Sequence, residues 1–298
     1  MALDQADLTK IQPHLLSGPA LLCKAMDTAM SKVTASSSRT FVLAVLAGAF
    51  IAMGAAWYCL VSADASLPFA VKKCLGGLVF YLGLFMVIAA GAELFTGNSL
   101  MFAAASDKRI HWSAMFKNWG IVWLGNLVGS LVVVALIAGA GVPFTAAGSE
   151  GAKTIAVTMV SIAAGKQALV LQPVTLFCKA ILCNFLVCLA VWIAFAGKSL
   201  VDKFFAALLP IAAFVALGFE HCVANMFFLP MGFVLNDLYG ITGGAATAAG
   251  AINLGGVLGN IVLVTIGNAI GGAILVAGAY WLAYREREPF DDRPISMR

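Results

Sequence analysis

The chain has 298 residues, of which 62% are hydrophobic and 11% charged, and a formal net charge of +4. Water-soluble domains carry about 25% charged residues, so a soluble enzyme or soluble binding module is excluded. The basic residues are distributed as a membrane-topology signal, not gathered into a nucleic-acid footprint.

Residues 1–39 form an N-terminal arm that carries Lys10, Lys24, Lys32 and Arg39. It lacks the basic-then-apolar layout of a cleaved signal peptide. Its stretch SGPALLCKAMDTAMSKV opens on Ser17-Gly18-Pro19, with proline suited to a first helical turn. The apolar residues that follow fit an amphipathic helix lying on the cytoplasmic membrane surface. A channel domain is expected over residues 40–284, followed by a cytoplasmic tail, 285–298.

A bilayer core of about 30 Å needs roughly 20 apolar residues as helix. Thr40–Val61, Cys74–Ala92, Asn118–Ala140 and Ala180–Gly197 are charge-free stretches of about that length. Lys153 and Lys166, between the third and fourth, read as outer-loop charges. A fifth stretch runs from Lys203 to Asp237 and carries Glu220 and His221 in its interior. Leu238–Tyr284 has no charge in 47 residues; as one helix it would reach roughly 70 Å. Its start, YGITGGAATAAGAINLGG, reads as loop or vestibule lining, which leaves Val257–Tyr284 as the sixth span. The expected fold is an all-α integral membrane protein with six transmembrane helices. Thirteen basic residues then fall on the side of the termini and four on the other. That bias places both termini in the cytoplasm, as for a multi-pass protein of the cell (inner) membrane.

Seven cysteines form no CxxC pair and read as small hydrophobes. His14, His111 and His221 are far apart, so no metal site and no cofactor are expected. No HExxH or GxSxG motif suggests an enzyme.

Two stretches match each other. GAELFTGNSLMF (91–102) and GFEHCVANMFFL (218–229) both read Gly-x-Glu-x-x-x-x-Asn, through Gly91, Glu93, Asn98 and Gly218, Glu220, Asn225. Downstream, LGNLVGS (124–130) and IGNAIGG (266–272) both read Gly-Asn-x-x-Gly. Three spans separate the copies, so the halves have opposite topology. Inverted repeats that interrupt spans at matching places build a substrate path near the bilayer midplane. A broken helix leaves backbone groups that protein or cavity water must satisfy. Carboxylates suit the N–H groups of a half-helix start, and asparagine donates and accepts. Glu93, Asn98, Glu220 and Asn225 are therefore expected to stabilise the breaks. His221 differs, because the first copy has Leu94 there, and an ionisable residue inside the membrane is a functional candidate.

GAELFTGN, ILCNFLVCLAVW (181–192) and GFEHCVANMFFLPMG together resemble the formate/nitrite transporter family, with the similarity running from SGPALLCKAM to TIGNAIGGAILVAGAYWLAY. The resemblance implies an aquaporin-like inverted repeat and a homopentamer in the lipid bilayer with one pore per protomer. It implies passage of small monovalent anions: formate, nitrite, hydrosulfide, acetate or lactate. It assigns His221, Thr96 and Asn184 to the pore centre. Phe80, Leu84, Leu94, Phe95, Val187 and Phe214 become the apolar constrictions, and Lys166, with Lys153 as substitute, the anion-attracting lysine.

An isolated charge is costly to bury. A lysine at the vestibule raises local anion concentration, apolar rings force dehydration, and Thr96, Asn184 and His221 replace lost water. Imidazole titrates near neutral pH, so His221 is expected to link transport to protons. The alternatives are a hydrosulfide-preferring channel of the same family and an aquaporin-like neutral-solute channel. Against the latter, no Asn-Pro-Ala motif occurs.

Overall fold

The charge-free stretches fold as helices. The computed structural model describes residues 16, 18–144, 149–243 and 250–285. Among them there is no strand. The arm contributes α1 (Gly18–Thr34). Ser36 caps the next helix by accepting from the Arg39 N–H, and α2 runs Ser37–Ala63. There follow α3 (Phe69–Ala90), the short α4 (Phe95–Asn98) and α5 (Met101–Ser106), and α6 (Trp112–Gly139). Next come α7 (Ser149–Ala168) and α8 (Pro173–Ala194). Helix α9 (Leu200–Ala216) starts on a Ser199–Asp202 capping box, and α10 is Cys222–Asp237. Finally, α11 starts at Leu254 and continues through a π-helical turn at Ala273–Gly278 to Tyr284.

Among the described residues five helices are long and apolar enough to cross a membrane by length and composition: α2, α3, α6, α8 and α11. The expected fifth span is two pieces, α9 and α10, of 17 and 16 residues, interrupted at the second copy of the repeated motif. Helices α2, α3, α6 and α8 begin earlier than the charge-free stretches, because Arg39, Lys72, Lys73, Lys117 and Lys179 are accommodated within them. The segment expected as an outer loop contains α7, whose Ile155, Met159 and Val160 are buried. Most of the tail, 286–298, lies outside the described residues.

Helices α2 and α6 approach closely, as do α8 and α11. A Cβ on Gly129 would overlap the Val45 carbonyl oxygen, and one on Gly271 the Ile181 carbonyl oxygen. Small residues at such crossings let backbones meet without hydrophobic driving force. Their outward faces carry exposed Leu124, Leu131, Leu136, Leu258 and Val262, an apolar surface suited to lipid or to other apolar protein. Helix α1 is not simply laid on the surface. Leu22, Ala25, Met26 and Ala29 are buried in a second core with Met101, Ala104 and Trp192.

Candidate functional site

Both breaks begin with a left-handed glycine, Gly91 (φ 75°) after α3 and Gly218 (φ 69°) after α9, a conformation glycine adopts without a Cβ penalty. The chain then runs non-helically until α4 and α10 begin. The freed backbone groups are satisfied in the same way twice. Glu93 N–H donates to the Leu43 carbonyl (3.2 Å) and Glu220 N–H to the Lys179 carbonyl (3.3 Å). The asparagines of the two Gly-Asn motifs reach in from α6 and α11. Asn126 Oδ1 accepts from Phe95 N–H (2.9 Å), while its Nδ2 donates to the Ala44 and Glu93 carbonyls. Asn268 Oδ1 accepts from Cys222 N–H (2.8 Å), and its Nδ2 donates to the Ala180 and Glu220 carbonyls.

The bracing expected of Glu93 and Glu220 therefore falls to Asn126 and Asn268. The carboxylates act one layer further out and accept from side chains. Asn98 Nδ2 donates to Glu93 Oε2 (2.7 Å) and Asn118 Oδ1 (2.8 Å). Asn225 Nδ2 donates to Glu220 Oε2 (2.7 Å) and Asn260 Oδ1 (2.7 Å). Each carboxylate also holds a lysine: Lys32 Nζ lies 2.7 Å from Glu93 Oε1, and Lys166 Nζ 3.0 Å from both Glu220 oxygens.

Lys166 is thus not a free outer-loop charge. It sits on α7, its side chain 15% exposed, with the ammonium also 5.2 Å from the Phe228 ring centroid. The Lys153 side chain lies outside the described residues. Lys32 was missed as a site residue because it stands in an arm expected only to lie on the surface. Asn118 and Asn260 were also missed, although each stands eight residues before its motif asparagine, two helical turns along the same face.

The two breaks meet through one side-chain pair. Thr96 Oγ1 lies 3.0 Å from His221 Nε2. His221 is the N-cap of α10, and its Nδ1 accepts the Ala224 N–H (3.1 Å). A nitrogen that accepts carries no proton, so the neutral ring holds its proton on Nε2 and donates it to the threonine hydroxyl. Asn184 does reach this centre, but its Nδ2 is committed to the Thr96 and Asn268 carbonyls and the Ser99 hydroxyl. It holds the backbone in place.

Two cavities approach the pair. One, about 230 Å³, includes Lys32, Glu93, Asn98, Leu84 and Leu94 in its lining. The other, about 160 Å³, includes Lys166, Glu220, His221, Phe80 and Phe214. Phe80 and Leu84, which line different cavities, are one turn apart on α3, about 6 Å along that helix. Phe80 and Phe214 meet edge to face at 5.7 Å, and Phe214 stacks on His221 at 5.9 Å. Phe95 and Val187 belong to neither lining: the Phe95 ring packs on Trp119 at 5.8 Å, and Val187 is buried in the core. Among the described residues no group of three His, Cys, Asp or Glu side chains is placed to hold a metal.

Residues 19–282 match the family model described as Formate/nitrite transporter. The chain belongs to the formate/nitrite transporter family. With its apolar helices, that membership makes it an integral membrane protein. Two relatives show how far the likeness extends. The "Formate channel FocA" of Escherichia coli (strain K12) is 38% identical over 280 residues, 91% of this chain and 96% of the relative. The "Probable formate transporter" of Methanothermobacter thermautotrophicus is 41% identical over 263 residues, 85% and 91% of the two chains. Among solved structures, a "Pentameric formate channel with formate bound" superposes with a TM-score of 0.73 at 34% identity, covering 84% of this chain and 98% of the other. An "FNT family ion channel" gives 0.74 at 29% identity, covering 88% and 98%.

Proposed function

We propose that the chain conducts small monovalent anions, formate foremost, across the cell membrane, as a homopentamer with one pore in each protomer. Each protomer crosses the membrane six times in an aquaporin-like inverted repeat, the broken pairs α3–α4 and α9–α10 counting as one crossing each, with both termini cytoplasmic. The observation that carries this reading is the pair of lysine-lined cavities, one reaching His221 and the other Leu94 and Gly97 beside Thr96, with Thr96 and His221 hydrogen-bonded to each other. Formate in the relatives' names, and the bound formate and pentamer in the solved structure's title, support the cargo and the assembly.

In this reading the cavities collect the anion near Lys32 or Lys166. The apolar passage, Leu84 and Leu94 on one side and Phe80 and Phe214 on the other, strips its water. At the centre the anion displaces the threonine hydroxyl and accepts from His221 Nε2–H, so the dehydrated charge is never without a donor. Proton linkage then requires Nδ1 to take up a proton and release the Ala224 N–H, which ties protonation to the cap of α10. Formate counterflow in proteoliposomes, set against hydrosulfide and glycerol, tests the cargo: saturable formate exchange is expected, and preferential flux of either competitor would replace this reading. His221→Asn, which keeps an N-cap side chain, tests the proton step; flux with an unaltered pH dependence removes it.

A further inference from the structure

The joint between α1, the start of α2, and α6 encloses a polar cavity of about 140 Å³. Lys32, Ser37, Thr40, Lys117 and Asn118 line it, and no acidic residue does. Two of these side chains are buried beyond nine-tenths and short of partners. Thr40 is 4% exposed, and its hydroxyl has no hydrogen-bond partner among the described residues. Asn118 is 5% exposed; its Oδ1 accepts from Asn98, but its Nδ2 donates to no described residue. Neither donor atom is sealed within protein, and both residues line the cavity. Ser37 opens α2, where backbone N–H groups lack intrahelical acceptors. Lys117 has no ion-pair partner among the described residues.

The repeat supplies an internal comparison. The hydrogen bonds that pair Ala44 with Ala180, and Asn126 with Asn268, also align Ser37 with Pro173, Thr40 with Leu176 and Lys117 with Gly259. Asn118 aligns with Asn260, whose Nδ2 is satisfied by the Lys166 carbonyl at 2.8 Å. Val170 covers Gly259. The same framework therefore stands without the Thr40 hydroxyl and the Lys117 ammonium in the other copy, where the asparagine is kept but its Nδ2 is taken by a carbonyl.

We infer that this cavity is a binding site for a phosphate group, from a phospholipid headgroup or from free inorganic phosphate. Lys117 supplies the charge, and the Thr40 hydroxyl and Asn118 amide supply donors to its oxygens. A site of donors at a helix start suits an oxyanion that accepts several bonds at once. The place suits a headgroup, because the start of a 27-residue apolar helix stands where hydrocarbon gives way to water.

The test titrates the detergent-solubilised full chain, free of phosphate buffer, with dihexanoyl phosphatidic acid and separately with inorganic phosphate, read by calorimetry. Saturable binding is expected, weakened at least tenfold in Lys117→Gln/Thr40→Val and at least threefold in the near-isosteric Thr40→Val. Lys24→Gln removes an exposed charge from α1 and should change affinity less than twofold. Phosphatidic acid binding at least tenfold tighter than phosphate assigns the site to lipid, and comparable affinities assign it to the free ion. No saturable binding of either probe, or binding indifferent to both pocket variants, overturns the inference.

Discussion

Leu94 and His221 occupy the same backbone position in two copies of one break, with φ, ψ of −111°, 125° and −111°, 119°. Both are N-caps, but Leu94 makes no side-chain cap bond, whereas His221 accepts from Ala224 N–H. Helix α4 thus starts without the imidazole, supported by Asn126. The break needs an asparagine from the neighbouring helix; the imidazole is an addition on one side only.

The same comparison applies to Thr96, whose counterpart is Val223. Thr96→Val keeps the shape and removes the one side-chain partner that His221 Nε2 has among the described residues. Formate flux should fall severalfold to about tenfold, because the displaced hydroxyl no longer donates to the dehydrated anion, a bond worth about 1 kcal/mol or more. The helical content should be unchanged by circular dichroism.

Lys166 and Glu220 form a largely buried pair, 15% and 4% exposed at their side chains. Lys166→Ala leaves the carboxylate with only Asn225, and removing one partner of a buried pair costs about 3–5 kcal/mol. Thermal unfolding in detergent should show that loss, and Lys166→Met/Glu220→Gln should recover most of it. Equal stability of wild type and Lys166→Ala would show the pair to be unimportant to the fold.

Asn126 and Asn268 each satisfy three backbone groups. Replacing either by leucine strands one N–H and two carbonyls, at about 1–3 kcal/mol per group. The two variants should lose comparable stability and expression, measured side by side by fluorescence-detected size exclusion. A large disparity would mean that the two breaks are held differently.

Asp64, after α2, accepts from the Ser66 hydroxyl and N–H, both at 2.7 Å, and these bonds hold its carboxyl below its ordinary value of 3.8. A depressed carboxylate contributes stability fully above its unfolded value and loses it as pH falls through the folded one. Exchange of the Ser66 amide should therefore be protected at neutral pH, lose that protection only below about pH 3.8, and be unprotected at both in Asp64→Ala, which has no acceptor.

The breaks were legible because Glu93, Asn98, Glu220 and Asn225 stand out in apolar text, and because a repeated motif marks a repeated structure. Their working partners were harder to see. Lys32 lies 61 residues from Glu93, and no local pattern announces a pairing across that distance. Helix α7 was read as loop because Ser, Thr, Gly and Lys interrupt its apolar residues; tertiary burial against α10 and α2 decides its state, not its own hydropathy. Phe95 stands in neither cavity lining and packs on Trp119; a ring beside a break turns to either side, and sequence alone does not fix which.

The direct trial is formate flux through proteoliposomes carrying His221→Leu, the residue the other break already uses. Loss of a donor to a dehydrated anion corresponds to about 1.5–3 kcal/mol, so flux should drop roughly ten- to hundredfold with the helical content and elution volume retained. Undiminished flux from a folded His221→Leu protein would contradict the passage of the anion between Thr96 and His221.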